Sequence, residues 1–187
     1  IAIVNMDGRI EYINKKAVRD FGYLPDDIPT MRRWWIRAYP NGAYRRKVSA
    51  DWARRVRKAI RQKSEIEGAE YLVACKDGSA KTMFIFGVIV AGKVMVMFDD
   101  ITARKKAEEA LRDSESRYRT IVETTRTGYV ALDHSGRVLD ANSEYVRLTG
   151  RRSLDEIRGR SVMEWTAGPE KEKNAKALVK CVRNGRI

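Results

Sequence analysis

Val96-Met97-Phe98-Asp99-Asp100-Ile101-Thr102-Ala103-Arg104-Lys105-Lys106-Ala107-Glu108-Glu109-Ala110-Leu111 is the stretch on which the reading of this chain turns. Its first residues are apolar and β-prone. Its last are Ala, Glu, Lys and Arg, which favour helix. A strand is therefore predicted to end near Asp100 and to feed a helix with almost no loop between. Asp100 and Thr102 are the joint residues able to cap that helix, because a side-chain oxygen there takes up a free backbone N–H. Glu108 and Arg112 stand at i,i+4 in the favourable orientation on its surface. A sheet joined this directly to a helix is mechanically coupled to the segment on the helix's far side.

That segment is a second copy of the one before the helix. Gly8-Arg9 matches Gly136-Arg137, Asn14 matches Asn142, Val18-Arg19 matches Val146-Arg147, and Gly22 matches Gly150. With one added residue, Asp26 and Ile28 match Asp155 and Ile157. A constant offset over such a span marks an internal repeat. The second copy is predicted to continue to a helix near residues 169–182 and to stop before its last three strands. A half-sheet closes no core, so the protein is expected to extend beyond Ile187.

In the first copy, Ile1–Val4 and Arg9–Ile13 are short strands around an Asp7-Gly8 turn. Asn14 caps a helix over Lys15–Phe21, which Gly22 ends. Pro25–Ile28 is a single helical turn. Met31–Pro40 carries Trp34, Trp35 and Tyr39, read as core aromatics. Arg45–Lys63 is a long helix with Val48, Trp52, Val56, Ala59 and Ile60 as its apolar stripe. Gly68–Lys76, Ser79–Val90 and Lys93–Phe98 are strands. Met83–Phe86 and Val94–Met97 are apolar at every position, so both faces of this sheet need cover.

The Asp100-Ile101-Thr102 exit resembles the end of a PAS domain, where this signature closes the last strand and opens a signalling helix. The text from Ala107 to Arg119 looks like the linker between successive PAS domains of bacterial sensor proteins. The Trp-Trp, Ala-Tyr-Pro and Tyr-Arg spacing is similar to a subgroup of those domains. The resemblance implies an α+β fold: a PAS-like five-stranded antiparallel sheet with helices on one face. It divides the chain into a first domain at 1–102, a linker helix at 103–118, and a second domain at 119–187, truncated before its last strands. It further implies a cytoplasmic sensory module, a homodimer, and a downstream output domain in the same chain, such as a histidine kinase or diguanylate cyclase. In such a module Asp100, Ile101, Thr102, Leu111 and Tyr118 are the expected signal-transfer residues. Ala107, Leu111, Ser114, Tyr118, Ile121 and Thr125 follow a four-three spacing, a weak seam with small and polar residues where a stable coiled coil carries Leu or Ile. An ordinary solvent-facing connector reads the same way.

Catalysis finds little support. The single histidine, His134, falls in a predicted turn, and no nucleophile has a local base motif. Gly-rich phosphate cradles, a kinase phosphoacceptor segment and a cyclase signature are missing. Asp99-Asp100 reads either as a metal or phosphoacceptor pair or as strand termination plus capping; strand neighbours face opposite ways, which favours the second. Cys75 and Cys181 lie far apart with no metal-ligand spacing, as in a reducing compartment. No catalytic or metal residue is assigned. Haem would need an axial ligand in the long helix, which has no histidine, and the flavin photoreceptors' Asn-Cys-Arg-Phe motif is absent. No cofactor is expected, and any ligand is a colourless small molecule. Tyr12, Asn14, Arg45, Tyr71 and Cys75 are the candidate polar contacts, each with a structural alternative as cap, turn or core residue.

The net charge of +13 is unevenly spread. Residues 31–63 hold twelve Lys or Arg against the single acid Asp51. This is either the solvated face of a helix, the simpler reading, or a basic nucleic-acid-binding surface. No recognised nucleic-acid motif accompanies it. No apolar run reaches the roughly eighteen residues of a membrane span.

Overall fold

The computed structural model describes residues 1–170 of the chain. The predicted helix near 169–182 falls almost wholly outside the described residues, as does Cys181. The chain forms two compact units, Ile1–Ala110 and Leu111–Ile187.

In the first unit, β1 (Ala2–Asn5) and β2 (Ile10–Ile13) form a hairpin. Then come α1 (Lys15–Phe21), a 3-10 turn at Pro25–Asp27, α2 (Met31–Ala38) and α3 (Gly42–Gln62). Strands β3 (Ile66–Ala74), β4 (Ala80–Val90) and β5 (Lys93–Asp100) complete the sheet, ordered β2-β1-β5-β4-β3 and antiparallel throughout. The fold is α+β, with the helices packed on one face. Asn14 caps α1 by accepting the Ala17 N–H at 3.0 Å, and Gly22 ends it with φ 75°, a conformation cheap only for glycine.

The faces of the sheet follow the period of two. Ala2, Val4, Tyr71, Val73, Met83, Ile85, Val94 and Val96 point toward the helices and are buried. They meet Phe21, Ile28, Trp34, Tyr39, Val48 and Trp52 in one core. The opposite face carries Phe84, Phe86, Val88, Met95 and Met97, half-buried in the single chain. Phe84 also lies over the break in β3 register between Ile66 and Ala69, where a Cβ on Gly68 would come 2.2 Å from its ring. Any larger residue at this bulge would have to push the Phe84 ring aside.

The α3 stripe buries Val48, Trp52 and Ala59, but Ile60 is 51% exposed. At about 100° per residue Ile60 falls at the stripe's margin. A single helix, α4, runs from Thr102 to Thr124 and buries none of its residues. On its surface Glu108 faces Arg104 at 3.8 Å rather than Arg112; the pair is exposed, where such contacts contribute little.

The second unit repeats the opening of the first. Hairpin β6 (Val130–Leu132) and β7 (Val138–Ala141) precedes α5 (Ser143–Leu148), capped by Asn142, and 3-10 turns at Leu154–Glu156 and Val162–Glu164. Val138, Ala141, Val146 and Ile157 are its buried centre. Even the turn contacts repeat: Arg9 bridges Thr30, and Arg137 bridges Ser161.

Candidate functional site

Between the helices and the sheet of the first unit lies a cavity of about 30 Å³. Its walls include Ile10, Ile28, Trp34, Trp52, Tyr71 and Phe98. The volume suffices for about one water, and the walls offer almost nothing for a water to bond. Ligand pockets run from about 300 Å³ upward. Aromatic rings fill the space: Trp34 meets Phe21 edge-on at 5.1 Å, Tyr39 at 6.4 Å and Phe98 at 5.9 Å. Burial raises the pKa of the Tyr39 phenol, which stays neutral. A ligand entering here must displace these rings and must itself be largely apolar.

The cavity's lid is α3, and one carboxylate fastens it. Asp51 Oδ2 accepts from Tyr71 Oη on β3 at 2.7 Å and from Arg55 Nε at 2.8 Å, and Arg54 pairs with Oδ1. Burial opposes the charge on Asp51, but the bonds from Arg55, Tyr71 and Arg54 outweigh it and bring its pKa down to about 2. For Tyr71, burial and the neighbouring carboxylate both push the phenol up. The same helix covers the open edge of β3. Arg55 donates to the Gly68 carbonyl at 3.1 Å, and Tyr44 Oη accepts the Leu72 N–H at 2.9 Å. Edge groups satisfied in this way no longer invite another strand.

The exit from the sheet is the second site. Ile101 is buried, and its N–H bonds to the Thr82 carbonyl at 3.0 Å, carrying the β4–β5 ladder past Asp100. Thr102 Oγ1 then accepts the Thr82 N–H at 3.0 Å. Asp100 Oδ1 accepts the Thr102 N–H at 3.0 Å, while Oδ2 pairs with Lys81 at 3.1 Å. Burial raises the pKa of Asp100, but the Thr102 and Lys81 bonds outweigh it and lower the net value. One turn on, Lys105 reaches Glu70 on β3 at 2.8 Å. Of the two expected caps, only Asp100 acts as one. The Thr102 hydroxyl is turned back to the sheet, where it accepts the Thr82 N–H just beyond the last β4–β5 pair, Met83 and Asp100.

The model of the family described as "PAS domain" matches residues 1–103, and that described as "PAS fold" matches residues 116–187. The chain belongs to the PAS domain family. PAS domains are sensory, non-catalytic modules. No curated protein matches the chain. Among solved structures, it is similar to one titled "Structure of an RNA-binding Light-Oxygen-Voltage Receptor", at 11% identity and a TM-score of 0.44, over 96% of this chain and 80% of that one.

Of the five candidate ligand contacts, the first PAS domain brings only Tyr71 to the cavity wall. Tyr12 is 52% exposed on the opposite face. The register shift between Ile3 and Val4 turns both Ile10 and Ile13 inward and leaves Tyr12 outside. Asn14 is occupied as the α1 cap. Arg45 donates to the carbonyls of Tyr39 at 3.0 Å and Pro40 at 3.3 Å, closing the end of α2. Cys75 is buried just past β3, its Sγ 3.5 Å from the Asp20 carbonyl. Of the expected transfer residues, Asp100, Ile101 and Thr102 form the exit joint, whereas Leu111 and Tyr118 are 62% and 55% exposed on α4. The Tyr118 ring lies edge-on to Tyr129, with centroids 6.1 Å apart.

The remaining features stand apart from both sites. His134 is exposed in the β6–β7 turn. No group of three or more His, Cys, Asp or Glu is arranged to hold a metal among the described residues, and no helix there is long and apolar enough to cross a membrane. The basic segment forms a stripe on α3. Arg46, Lys47, Arg54, Arg57, Lys58 and Arg61 are exposed within an arc of about 120°, over about 22 Å of helix. Among them Arg54 pairs with Asp51 and Lys58 with Glu67.

Proposed function

We propose that the chain is the cytoplasmic sensory input and dimerisation region of a bacterial-type signal-transduction protein. A change in the first PAS domain passes through the exit joint into α4 and on to a downstream output domain, such as a histidine kinase or diguanylate cyclase. The observation that carries this reading is the joint itself. The ladder at Ile101, the Thr102 hydroxyl and the Lys105–Glu70 pair tie the start of α4 to β4 and β3, and Asp100 links the Thr102 N–H to Lys81 on β4. A shift of these strands displaces the helix with them. The input is a small, largely apolar, colourless molecule that repacks the aromatic cavity on entry, or a partner protein; the apolar cavity walls support the first reading. A second copy of the chain is the expected cover for the apolar sheet face and for the seam of α4.

The test is helical phase. Inserting one to seven residues between Glu109 and Asp113 turns everything downstream by about 100° per residue. Seven residues restore the seam to within about 20°. Output activity of the full-length protein is expected to swing with insert length and to recover near four and seven. A flat or smoothly declining series would refute a rigid transmitter.

A further inference from the structure

Among the described residues of the second PAS domain, Asn142 has every hydrogen-bonding place of its side chain filled. It is fully buried. Its Oδ1 accepts from the backbone N–H of Tyr129 at 2.8 Å and of Tyr145 at 2.9 Å. Its Nδ2 donates to the carbonyls of Val122 at 2.7 Å and Thr127 at 2.9 Å. A side-chain amide has two acceptor and two donor places, and all four are filled. Beside it, Ser143 donates from its backbone N–H at 3.1 Å and its hydroxyl at 2.8 Å to Glu123 Oε2. Thus the adjacent pair Val122–Glu123, in the last turn of α4, is held by the adjacent pair at the opening of α5.

The two halves of this amide do different work. The acceptor half belongs to the fold: Asn14 repeats it in the first domain, accepting from the N of Ile1 at 2.8 Å and of Ala17 at 3.0 Å. Those partners stand at the same repeat offset as Tyr129 and Tyr145. The donor half reaches α4. Val122 is among the last four helix residues, whose carbonyls lack intrahelical partners. Nδ2 supplies one, and does so from a buried position where an unmade bond is costly.

We infer that Asn142 is the receiving contact of α4, the positioning residue through which the end of the helix sets the β7–α5 corner of the second PAS domain. The inference rests on the proposed transmission along α4 and names its far end. Rotation or sliding of α4 carries the Val122 carbonyl away from Nδ2. The amide is then left with an unmatched buried donor, and the cap of α5 shifts to recover it. Glu123 and Ser143 reinforce the same contact from the surface.

The test uses hydrogen exchange on the intact chain and a double-mutant cycle. Asp100→Ala loosens α4 at its entry, and Asn142→Asp keeps both acceptor bonds while removing both donors. Asn142→Asp alone should raise exchange in Thr120–Thr125 by about tenfold, the worth of a buried hydrogen bond. Protection at Tyr129 and Tyr145 should persist. Asp100→Ala alone should change exchange across β6, β7 and α5 several-fold, and that response should vanish in the Asn142→Asp background. Should the buried carboxylate unfold the second domain, Glu123→Ala removes the neighbouring tie at the surface and should weaken the response instead. A response undiminished in both backgrounds would overturn the role of Asn142 and leave transmission along α4 standing. No response to Asp100→Ala in the otherwise native chain would overturn transmission itself, and the receiving contact with it.

Discussion

Asp51→Asn removes the charge that fastens α3 over the cavity and leaves the shape of the side chain. The carboxylate has 21% of its side chain exposed and a pKa lowered from 3.8 to about 2. A depressed carboxylate contributes stability that is fully present above its unfolded value. That contribution is lost as pH falls through the folded one. The shift corresponds to about 2 kcal/mol at neutral pH. Asn can accept from Tyr71 or Arg55 but cannot neutralise the guanidinium. The variant should therefore be less stable by about 2 kcal/mol at pH 7. Its deficit should begin to shrink below about pH 4 and be nearly gone near pH 2. Denaturant titrations of both proteins at a series of pH values measure this directly. Other carboxylates titrate in the same range, so the difference between the two proteins is the informative quantity. A deficit independent of pH, or none at pH 7, would refute the assignment of Asp51 as the electrostatic fastening of the lid.

Freshly purified protein is expected to be colourless, because the cavity is packed with its own rings and α3 offers no axial ligand; a Soret or flavin band in an absorption scan would contradict this. The α3 stripe is expected to bind random and selected nucleic acids alike, weakly and with steep loss on added salt, since phosphate contacts carry no sequence information. Fluorescence anisotropy showing sub-micromolar, sequence-selective binding at physiological salt would instead support a nucleic-acid-binding module.

The repeat and the caps were legible because they depend on residues close in sequence. Asn14 and Gly22 bracket α1, and Asn142 opens α5, as the pattern of N-cap and left-handed glycine predicts. The partners of the exit joint were within reach too. The two-residue Ala91-Gly92 turn pairs Val90 with Lys93 and fixes the whole β4–β5 register. Counting back along the hairpin sets Thr82 opposite Ile101 and Lys81 near Asp100, a pairing that strand boundaries alone leave implicit. Other contacts were not legible. The bulge that turns Tyr12 outward depends on how Ile10 and Ile13 settle into the core, so strict alternation misplaced it. Asp51 looked like one acid in a basic helix, and its role appears only when the fold sets β3 beside α3. Asn142 was visible as a cap, but the donor half of its amide depends on where α4 ends.

The composition of α4 is consistent with a helix that holds more than one arrangement. It buries none of its 23 residues. Leu111, Tyr118 and Ile121 stand 62%, 55% and 67% exposed. Most helical stability in proteins comes from packing an apolar face, and α4 has no buried residue to supply it, so its persistence falls to its helix-forming composition and to the ties at its two ends. Burying the three large side chains against a second copy would contribute about 1.5–3 kcal/mol each. Ser114 and Thr125 on the same seam offset part of that gain, because their hydroxyls lose water without a programmed partner. In the proposed dimer, this balance would leave paired and repacked states separated by a few kcal/mol. A displacement at Thr102 or a lost bond at Asn142 is of the same size. Under the proposed function, the weak seam is therefore what allows a local change at the joint to move the equilibrium of the whole helix. Replacing Ser114 with Leu would stiffen it and lock one state.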